Sequence, residues 1–223
     1  MTKVDKSPEK ISEMFNKISK SYDKNNNIIS LGLHKGIKKS AVKLLDISDN
    51  MKILDICCGT GDITEILSST NYKLDVCGID FSDEMISLAR AKFPNLNFKL
   101  GDATNLEIGD CSIDVITMGF GLRNIKDRQS AIKESYRVLK TGGQFLHLDF
   151  GYKNIFSKIF NLIAIIGIKL LYGKTLPYEY LIQSKKEFPE PEELIKEFER
   201  EGFKLNKKKD FLFGIISAQI YEK

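Results

Sequence analysis

The chain has 223 residues, of which 42% are hydrophobic and 29% are charged, with a formal net charge of +4. This length suits one domain that buries a core of its own, so we predict a single domain over residues 1–223. The small excess of positive charge does not indicate a nucleic-acid partner.

The four cysteines, Cys57, Cys58, Cys77 and Cys111, form neither a CxxC motif nor a cluster with the two histidines. This spacing argues against a zinc site and a disulfide framework. We therefore predict no metal site, and buried free thiols in a reducing compartment. The first ten residues lack the apolar segment of a signal peptide, which favours a cytoplasmic location.

Short β-rich runs alternate with helical stretches along the middle of the chain. Strands are predicted at 51–56, 74–80, 97–100, 113–118 and 144–150. Helices are predicted from Asp62 onward, over 82–93 and over 127–139. The strands are nearly continuous apolar runs, as expected when helices cover both faces of a sheet. This order predicts an α/β fold with a doubly wound, mostly parallel sheet over residues 51–150.

Three further segments lie outside this alternation. A helical cap of two helices is predicted over 8–45, a helical insertion over 153–187, and a final helix with two antiparallel strands over 190–223. Within the insertion, residues 159–168 are uncharged but too few to cross a bilayer, which needs about 20. This run is either a buried helix or a surface that meets lipid.

The segment LDICCGTGD, residues 54–62, has the pattern of a strand, a tight turn and a helix start. Gly59 and Gly61 permit a close approach of the backbone to a ligand, and Asp62 is expected to cap the following helix. A GxG pair alone is weak, because an ordinary tight turn has the same pattern.

Acidic residues at the strand ends indicate the type of ligand. Thr64 stands where a dinucleotide-binding loop has its third glycine, and Asp55 would repel a pyrophosphate but attract an ammonium group. Asp80, at the end of the second strand, can accept the hydroxyls of a ribose. A ligand with a ribose and an amino group but no phosphate fits S-adenosylmethionine better than NAD.

Residues after the second and third strands extend this predicted site. Asp102 can accept a hydrogen bond from the adenine amine, and Phe81 and Met85 can pack against the adenine ring. Strand ends of open α/β sheets bind ligands at this edge. Each acid, taken alone, has the alternative reading of a helix cap or a solvated loop residue.

Four motifs carry a resemblance to a known family: MFNKISKSYDKNN at 14–26, SLGLHKGIK at 30–38, GFGLRNIKDR at 119–128 and YEYLIQSKKEFP at 178–189. With them, the chain resembles the quinone C-methyltransferases that act late in menaquinone and ubiquinone biosynthesis. The resemblance implies a Rossmann-like class I methyltransferase that transfers a methyl group from S-adenosylmethionine to a ring carbon of a prenylated quinol. It leaves open a naphthoquinol or a benzoquinol acceptor.

The resemblance also assigns expected site residues. The cofactor contacts fall on Thr60, Asp80, Asp102, Ala103 and Gly119, with Tyr22 expected to cover the cofactor. The chain departs from the family pattern at Lys35, Ile37, Gly119, Asp149 and Gly151, where the family commonly has Arg, Trp, Ser, Glu and Ser. None of these departures removes a cofactor-binding group.

Arg123 and Asn124 are the predicted catalytic residues. Arg123 is expected to stabilise the quinolate oxygen and Asn124 to orient substrate or water, although a salt bridge that pins the loop is the alternative for Arg123. Arginine is a poor base because its pKa exceeds about 12. The candidates for a base or a polar contact are Tyr22, His34, His147 and Asp149.

The expected partners are a lipid quinol and no nucleic acid. The apolar insertion predicts a prenyl channel or a peripheral contact with the inner face of a membrane, with a buried helix as the alternative. A homodimer is left open. Two other functions also remain open: a methyltransferase for a phenol, sterol or amine, and a non-catalytic subunit that binds S-adenosylmethionine.

Overall fold

The computed structural model describes residues 32–172 and 176–223 and scattered positions between 7 and 30, without the side chains of 164–179 and 181–182. The strands are β1 Lys52–Ile56, β2 Asp75–Asp80, β3 Asn97–Leu100, β4 Ile113–Gly119, β5 Leu139–Phe150, β6 Lys204–Phe211 and β7 Ile216–Glu222. The helices are α1 His34–Val42, α2 Asp62–Ser68, α3 Asp83–Lys92, α4 Arg128–Val138, α5 Ile155–Tyr172, α6 Leu176–Glu187 and α7 Pro191–Arg200, with a short 3₁₀ turn at Leu122–Asn124.

The strands form one sheet in the order β3-β2-β1-β4-β5-β7-β6. The first five strands pair in parallel, and β7 runs antiparallel between β5 and β6. The predicted doubly wound, mostly parallel sheet is therefore confirmed. The strand order reverses between β1 and β4, which is the place where open α/β sheets form a ligand crevice.

The predicted strands agree with the structure except at the start of β5. This strand begins at Leu139 instead of residue 144, and it directly follows α4. Leu139 pairs with Ile113, and the register then shifts before Val115 pairs with Gln144. The glycines of this stretch lower the strand signal in the sequence, so the prediction missed the first part of a strand whose pairing is irregular. The predicted antiparallel pair at the end of the chain is confirmed by β6 and β7.

Apolar side chains cover both faces of the sheet. On one face Phe145 packs edge to face with Phe198 and Phe203, while Phe198 stacks on Tyr221 at 4.0 Å between ring centroids. On the other face the core includes Ile53, Val115, Leu146 and Ile220. These two layers fix the strand ends from which the site is built.

The predicted helical insertion after the fifth strand is confirmed by α5 and α6. Among the described residues, no helix combines the length and the hydrophobicity needed to span a bilayer. At the N-terminus, α1 bears out part of the helical prediction for 8–45, and most of the remainder, including Tyr22, lies outside the described residues.

Two local predictions were wrong. Gly61, with φ 86°, occupies the position before α2, and Asp62 is the first helical residue instead of the cap. The Asp62 carboxylate forms ion pairs of 2.9 Å with Lys38 and Lys92, which lie far from it along the chain. The cysteines were predicted to be buried, but Cys57, Cys58 and Cys77 are only partly buried, and Cys111 is exposed because it lies in a turn with φ 47°.

Candidate active site

A cavity of about 260 Å³ lies at the carboxyl ends of β1, β2 and β4. Most of the residues predicted from the sequence lie in its wall. They are Gly59, Asp80, Phe81, Met85, Asp102, Ala103, Gly119 and Asn124. We call this space the larger cavity, in contrast to a smaller one of about 100 Å³ that adjoins it. The parallel strands bring these positions together because each lies at or just beyond a carboxyl end on the same edge of the sheet.

Asp80 is held at the end of β2 by two backbone groups. Its Oδ2 accepts a hydrogen bond from the N–H of Gly59 at 2.8 Å, and its Oδ1 accepts one from Ser82 at 2.9 Å. Burial raises the pKa of the Asp80 carboxyl, and these two N–H groups act in the opposite direction. Each oxygen keeps a further lone pair, so the carboxylate can still accept ligand hydroxyls.

Two residues with unusual backbone angles stand where β1 and β4 end. Cys57 has φ 56° and Phe120 has φ 59°, values that only glycine adopts easily. Both line the larger cavity, and a Cβ on Gly121 would lie 2.5 Å from Cys57 Cβ, so the two loops meet closely. Such strain persists where the surrounding structure holds it, often at functional sites. Sequence reasoning missed both residues because nothing in their type reveals φ.

A second cavity of about 100 Å³ adjoins the first. The two share wall residues Cys57, Gly59, Gly119 and Phe120. The wall of this smaller cavity also contains predicted residues Asp55, Thr60 and Arg123, candidate residue His34, and the unpredicted residues Lys38, Phe150 and Phe160. The predicted site is therefore divided between two neighbouring spaces, with Gly59 after β1 and Gly119 at the end of β4 at their junction.

Asp55 is 1% exposed and is bound by two hydroxyl groups. Thr117 donates to its Oδ1 and Thr64 donates to its Oδ2, both at 2.7 Å. Burial raises the pKa of Asp55 to about 6, although the two hydroxyl donors lower it. Thr64 stands where a dinucleotide-binding loop has glycine, so the departure noted in the sequence supplies a donor to this carboxylate. A cationic ligand group nearby would favour the ionised form.

Arg123 forms a buried ion pair with Asp149. Its Nη1 donates to Asp149 Oδ1 at 2.8 Å and to the carbonyl of Phe120 at 2.5 Å, and its guanidinium lies 5.1 Å from the Phe150 ring centroid. Among the described residues, Arg123 Nε and Asp149 Oδ2 are buried without a hydrogen-bond partner. The salt bridge considered from the sequence therefore exists, yet it leaves donor capacity beside the smaller cavity.

Asn124 is oriented from both sides. Its Nδ2 donates to the carbonyl of Phe120 at 3.3 Å, and its Oδ1 accepts from the hydroxyl of Tyr180 on α6 at 3.0 Å. Burial raises the pKa of Tyr180 to about 12, so this hydroxyl stays protonated and remains a donor. The helical insertion thus helps to fix a predicted catalytic residue.

Two predicted or candidate residues, Gly61 and His147, are placed elsewhere. Gly61 lines neither cavity, and a Cβ there would lie 2.6 Å from the Phe98 ring, so it serves the packing of the turn. His147 also lines neither cavity; its Nδ1 lies 3.2 Å from Gln219 Oε1, and burial lowers its pKa. Tyr22 lies outside the described residues.

Comparison with known proteins agrees with this geometry. Residues 1–223 match the ubiE/COQ5 methyltransferase family. The demethylmenaquinone methyltransferase of Leptospira interrogans serovar copenhageni is 36% identical over 229 residues, covering 96% of this chain and 92% of the relative. The demethylmenaquinone methyltransferase of Staphylococcus aureus strain JH9 is 38% identical over 222 residues, covering 95% and 92%.

Solved structures show the same fold at lower identity. A chain of the Haloferax volcanii complex between the Trm112 methyltransferase activator and its methyltransferase aligns with TM-score 0.71 and 16% identity, covering 93% of this chain and 96% of that chain. A SAM-dependent methyltransferase from Thermotoga maritima aligns with TM-score 0.68 and 20% identity, covering 95% and 99%. The family match over the full length and the identity to these relatives show that the chain is a member of the ubiE/COQ5 methyltransferase family and an S-adenosylmethionine-dependent methyltransferase.

Proposed function

We propose that this enzyme methylates a ring carbon of a prenylated quinol, with demethylmenaquinol as the acceptor. The observation that carries the proposal is the smaller cavity, whose wall combines the cation of Arg123 with the rings of Phe150 and Phe160 and which joins the larger cavity at Gly59 and Gly119. An aromatic ring with a hydroxyl group that can ionise fits a wall that combines a cation with aromatic side chains. The names of the relatives, demethylmenaquinone methyltransferases, support a naphthoquinol ring.

The acidic and apolar side chains of the larger cavity fit S-adenosylmethionine, which when bound supplies an electrophilic methyl group. We assign Asp80 to the ribose hydroxyls, and Asp102 and Ala103 to the adenine edge. Phe81 and Met85 are assigned to the faces of the ring. The remaining proposed cofactor contacts, toward the amino-acid end of the ligand and the reacting methyl group, are Asp55, Gly59, Thr60 and Gly119.

We assign binding of the acceptor ring to Arg123 and Asn124. The guanidinium stabilises negative charge on a ring oxygen, which raises electron density at the neighbouring ring carbon. Asp149 holds the guanidinium in place through an ion pair of 2.8 Å. Asn124 lies in the wall of the adjoining larger cavity, where Tyr180 and the Phe120 carbonyl fix it, and it orients the edge of the ring or a water molecule between the two cavities.

The exposed side of α5 is proposed as a membrane contact through which the prenyl tail enters. We define the apolar face as Ile155, Phe156, Ile159, Leu162, Ile163 and Phe213, all exposed. Phe156 stacks on Phe213 at 4.8 Å between ring centroids, so α5 and the turn between β6 and β7 form one surface. The exposed lysines Lys153 and Lys158 lie beside it and suit anionic headgroups.

Replacing Arg123 tests the acceptor site. Arg123→Ala is expected to lower kcat for quinol methylation by about 100-fold or more, because it removes a preorganised donor to developing charge. The affinity for S-adenosylmethionine, measured by calorimetry, should stay close to that of the wild type. Arg128→Ala is the matched control, since Arg128 is also paired, to Glu197 at 2.9 Å, but lines neither cavity. Full turnover in Arg123→Ala would show that the arginine only pins the loop.

A further inference from the structure

Lys185 on α6 is a lysine buried beside the smaller cavity. The residue is 5% exposed, and its Nζ donates to Asn161 Oδ1 of α5 at 3.1 Å. The ammonium lies 4.6 Å from the ring centroid of Phe150 and 5.6 Å from that of Phe160. Both rings line the smaller cavity but Lys185 does not, so the ammonium lies behind the aromatic wall and acts on the cavity through its charge.

The charges around Lys185 do not balance among the described residues. Arg123 lies over the same Phe150 ring at 5.1 Å, which places two cations around one aromatic side chain. The carboxylate that acts on Lys185 is Asp149, and it is already bound to Arg123. From α5 the described hydrogen-bond partner is Asn161, which is uncharged. Two positive groups thus share one negative group in a buried place.

This arrangement makes the charge of Lys185 costly. Burial, and then the charge of Arg123, lower the pKa of Lys185 to about 8, against the opposing effect of Asp149. At pH 7 the lysine is still an ammonium ion, but in an environment that disfavours it. An anion bound in the smaller cavity would relieve this imbalance. Shifted groups of this kind are often retained for function.

We propose that the positive charge of the Lys185 ammonium group acts with Arg123 to stabilise an anionic oxygen of the acceptor ring in the smaller cavity. This inference rests on the proposed function and deepens it, because it states that the acceptor is bound as its ring-oxygen anion. On binding, the acceptor hydroxyl loses its proton to water and the electron pair of the O–H bond stays on oxygen. Lys185 keeps its three protons and forms no covalent bond.

The test measures the ionisation of a bound aromatic alcohol. The probe is 1-naphthol, whose anion has its own absorbance band, titrated on the full chain in the presence of S-adenosylhomocysteine. In the wild type the pKa of the bound probe is expected to lie below that of the free probe. In Lys185→Met it should rise by about one unit or more, the usual effect of removing a nearby opposite charge.

Two variants serve as controls. Lys186→Met removes the same charge from the next residue, which is exposed, and should leave the pKa of the bound probe unchanged. Lys185→Arg retains the charge and should keep most of the shift. If Lys185→Met lowers the yield of folded protein, Lys185→Gln replaces it, since the amide can still bond to Asn161.

The inference is wrong if wild-type enzyme does not bind the probe, or if the pKa of the bound probe is the same in the wild type and in Lys185→Met. Methylation of demethylmenaquinol, assayed in parallel, separates this failure from that of the proposed function. A wild type that methylates the quinol, with Lys185→Met equally active and unshifted, overturns the role of Lys185 alone. A wild type that ionises the probe through Lys185 but methylates no quinol overturns the proposed acceptor instead.

Discussion

Asp55 and Asp80 stand at the ends of neighbouring parallel strands but have different hydrogen-bond partners. Asp80 is held by backbone N–H groups of Gly59 and Ser82, while Asp55 is held by the hydroxyls of Thr64 and Thr117. We have assigned Asp80 to the ribose and Asp55 to the amino-acid end of the cofactor. The different surroundings give Asp55 a pKa of about 6, close enough to neutrality to be tested by titration.

Cofactor affinity should therefore depend on pH through Asp55. The carboxyl is ionised above its pKa, so affinity for S-adenosylmethionine is expected to be full above about pH 6 and to fall as the pH is lowered through that value. Asp55→Asn should bind more weakly at pH 7.5 and lose most of this dependence. Calorimetry from about pH 5 to about pH 8 measures the affinity over a range that extends roughly one unit or more to either side of the pKa of Asp55. An unchanged pH profile in Asp55→Asn would contradict the assignment to the ammonium group.

At this scale the sequence predicts residues at or just beyond strand ends better than residues brought in by packing. Asp80, Asp102 and Gly59 lie in the larger cavity because strand ends of a parallel sheet share one edge. Lys185 could not be found this way, since its burial depends on how α6 packs against Phe150 and α5. The sequence shows only a lysine followed by another lysine, of which one is buried and one is exposed.

Single helices show where local sequence signals suffice. The start of α7 carries a reciprocal capping box between Glu190 and Glu193 with Pro191 at its first turn, and α7 is the final helix that the sequence predicts. Gly202 follows its C-terminus with φ 99°. By contrast, the start of β5 was missed because its pairing with β4 includes a register shift that no local pattern reveals.

Two glycine substitutions should act on stability in opposite directions. Gly202→Ala is expected to lower the free energy of unfolding by about 1–3 kcal/mol, because φ 99° disfavours a side chain and a Cβ would lie 2.9 Å from the Tyr136 ring. Gly36→Ala in α1 has open space around its Cβ and should raise stability by about 0.5 kcal/mol. Urea unfolding measures both. Equal effects of the two changes would contradict this reading of the helix end.

The apolar face of α5 leads to a prediction about membranes. Leu162→Gln combined with Ile163→Gln is expected to reduce binding to phosphatidylglycerol vesicles by about tenfold or more, since two large apolar side chains no longer enter the lipid. Both residues are more than half exposed, so folding should be preserved. Tyr72→Gln, an exposed apolar position on a distant turn, is the control. Equal sedimentation of all three proteins with vesicles would rule out this contact.

At the scale of the molecule, the strand order places both cavities at the reversal between β1 and β4. This position follows from the alternation of strands and helices, so the location of the candidate site could be predicted from the sequence. The division into two cavities could not, because it depends on positive φ at Cys57 and Phe120 and on the packing of the insertion. The fold alone is shared with methyltransferases of other acceptors, so the acceptor must be argued from the smaller cavity.

The most direct test of the account is methyl transfer from labelled S-adenosylmethionine to demethylmenaquinol under reducing conditions, beside the demethylated ubiquinol precursor. We expect label in the naphthoquinol, with loss of transfer in Arg123→Ala and retention in Arg128→Ala. Label in the benzoquinol alone would contradict the naphthoquinol assignment. No label in either quinol, with cofactor binding confirmed by calorimetry, would contradict the central claim that the smaller cavity receives a quinol ring.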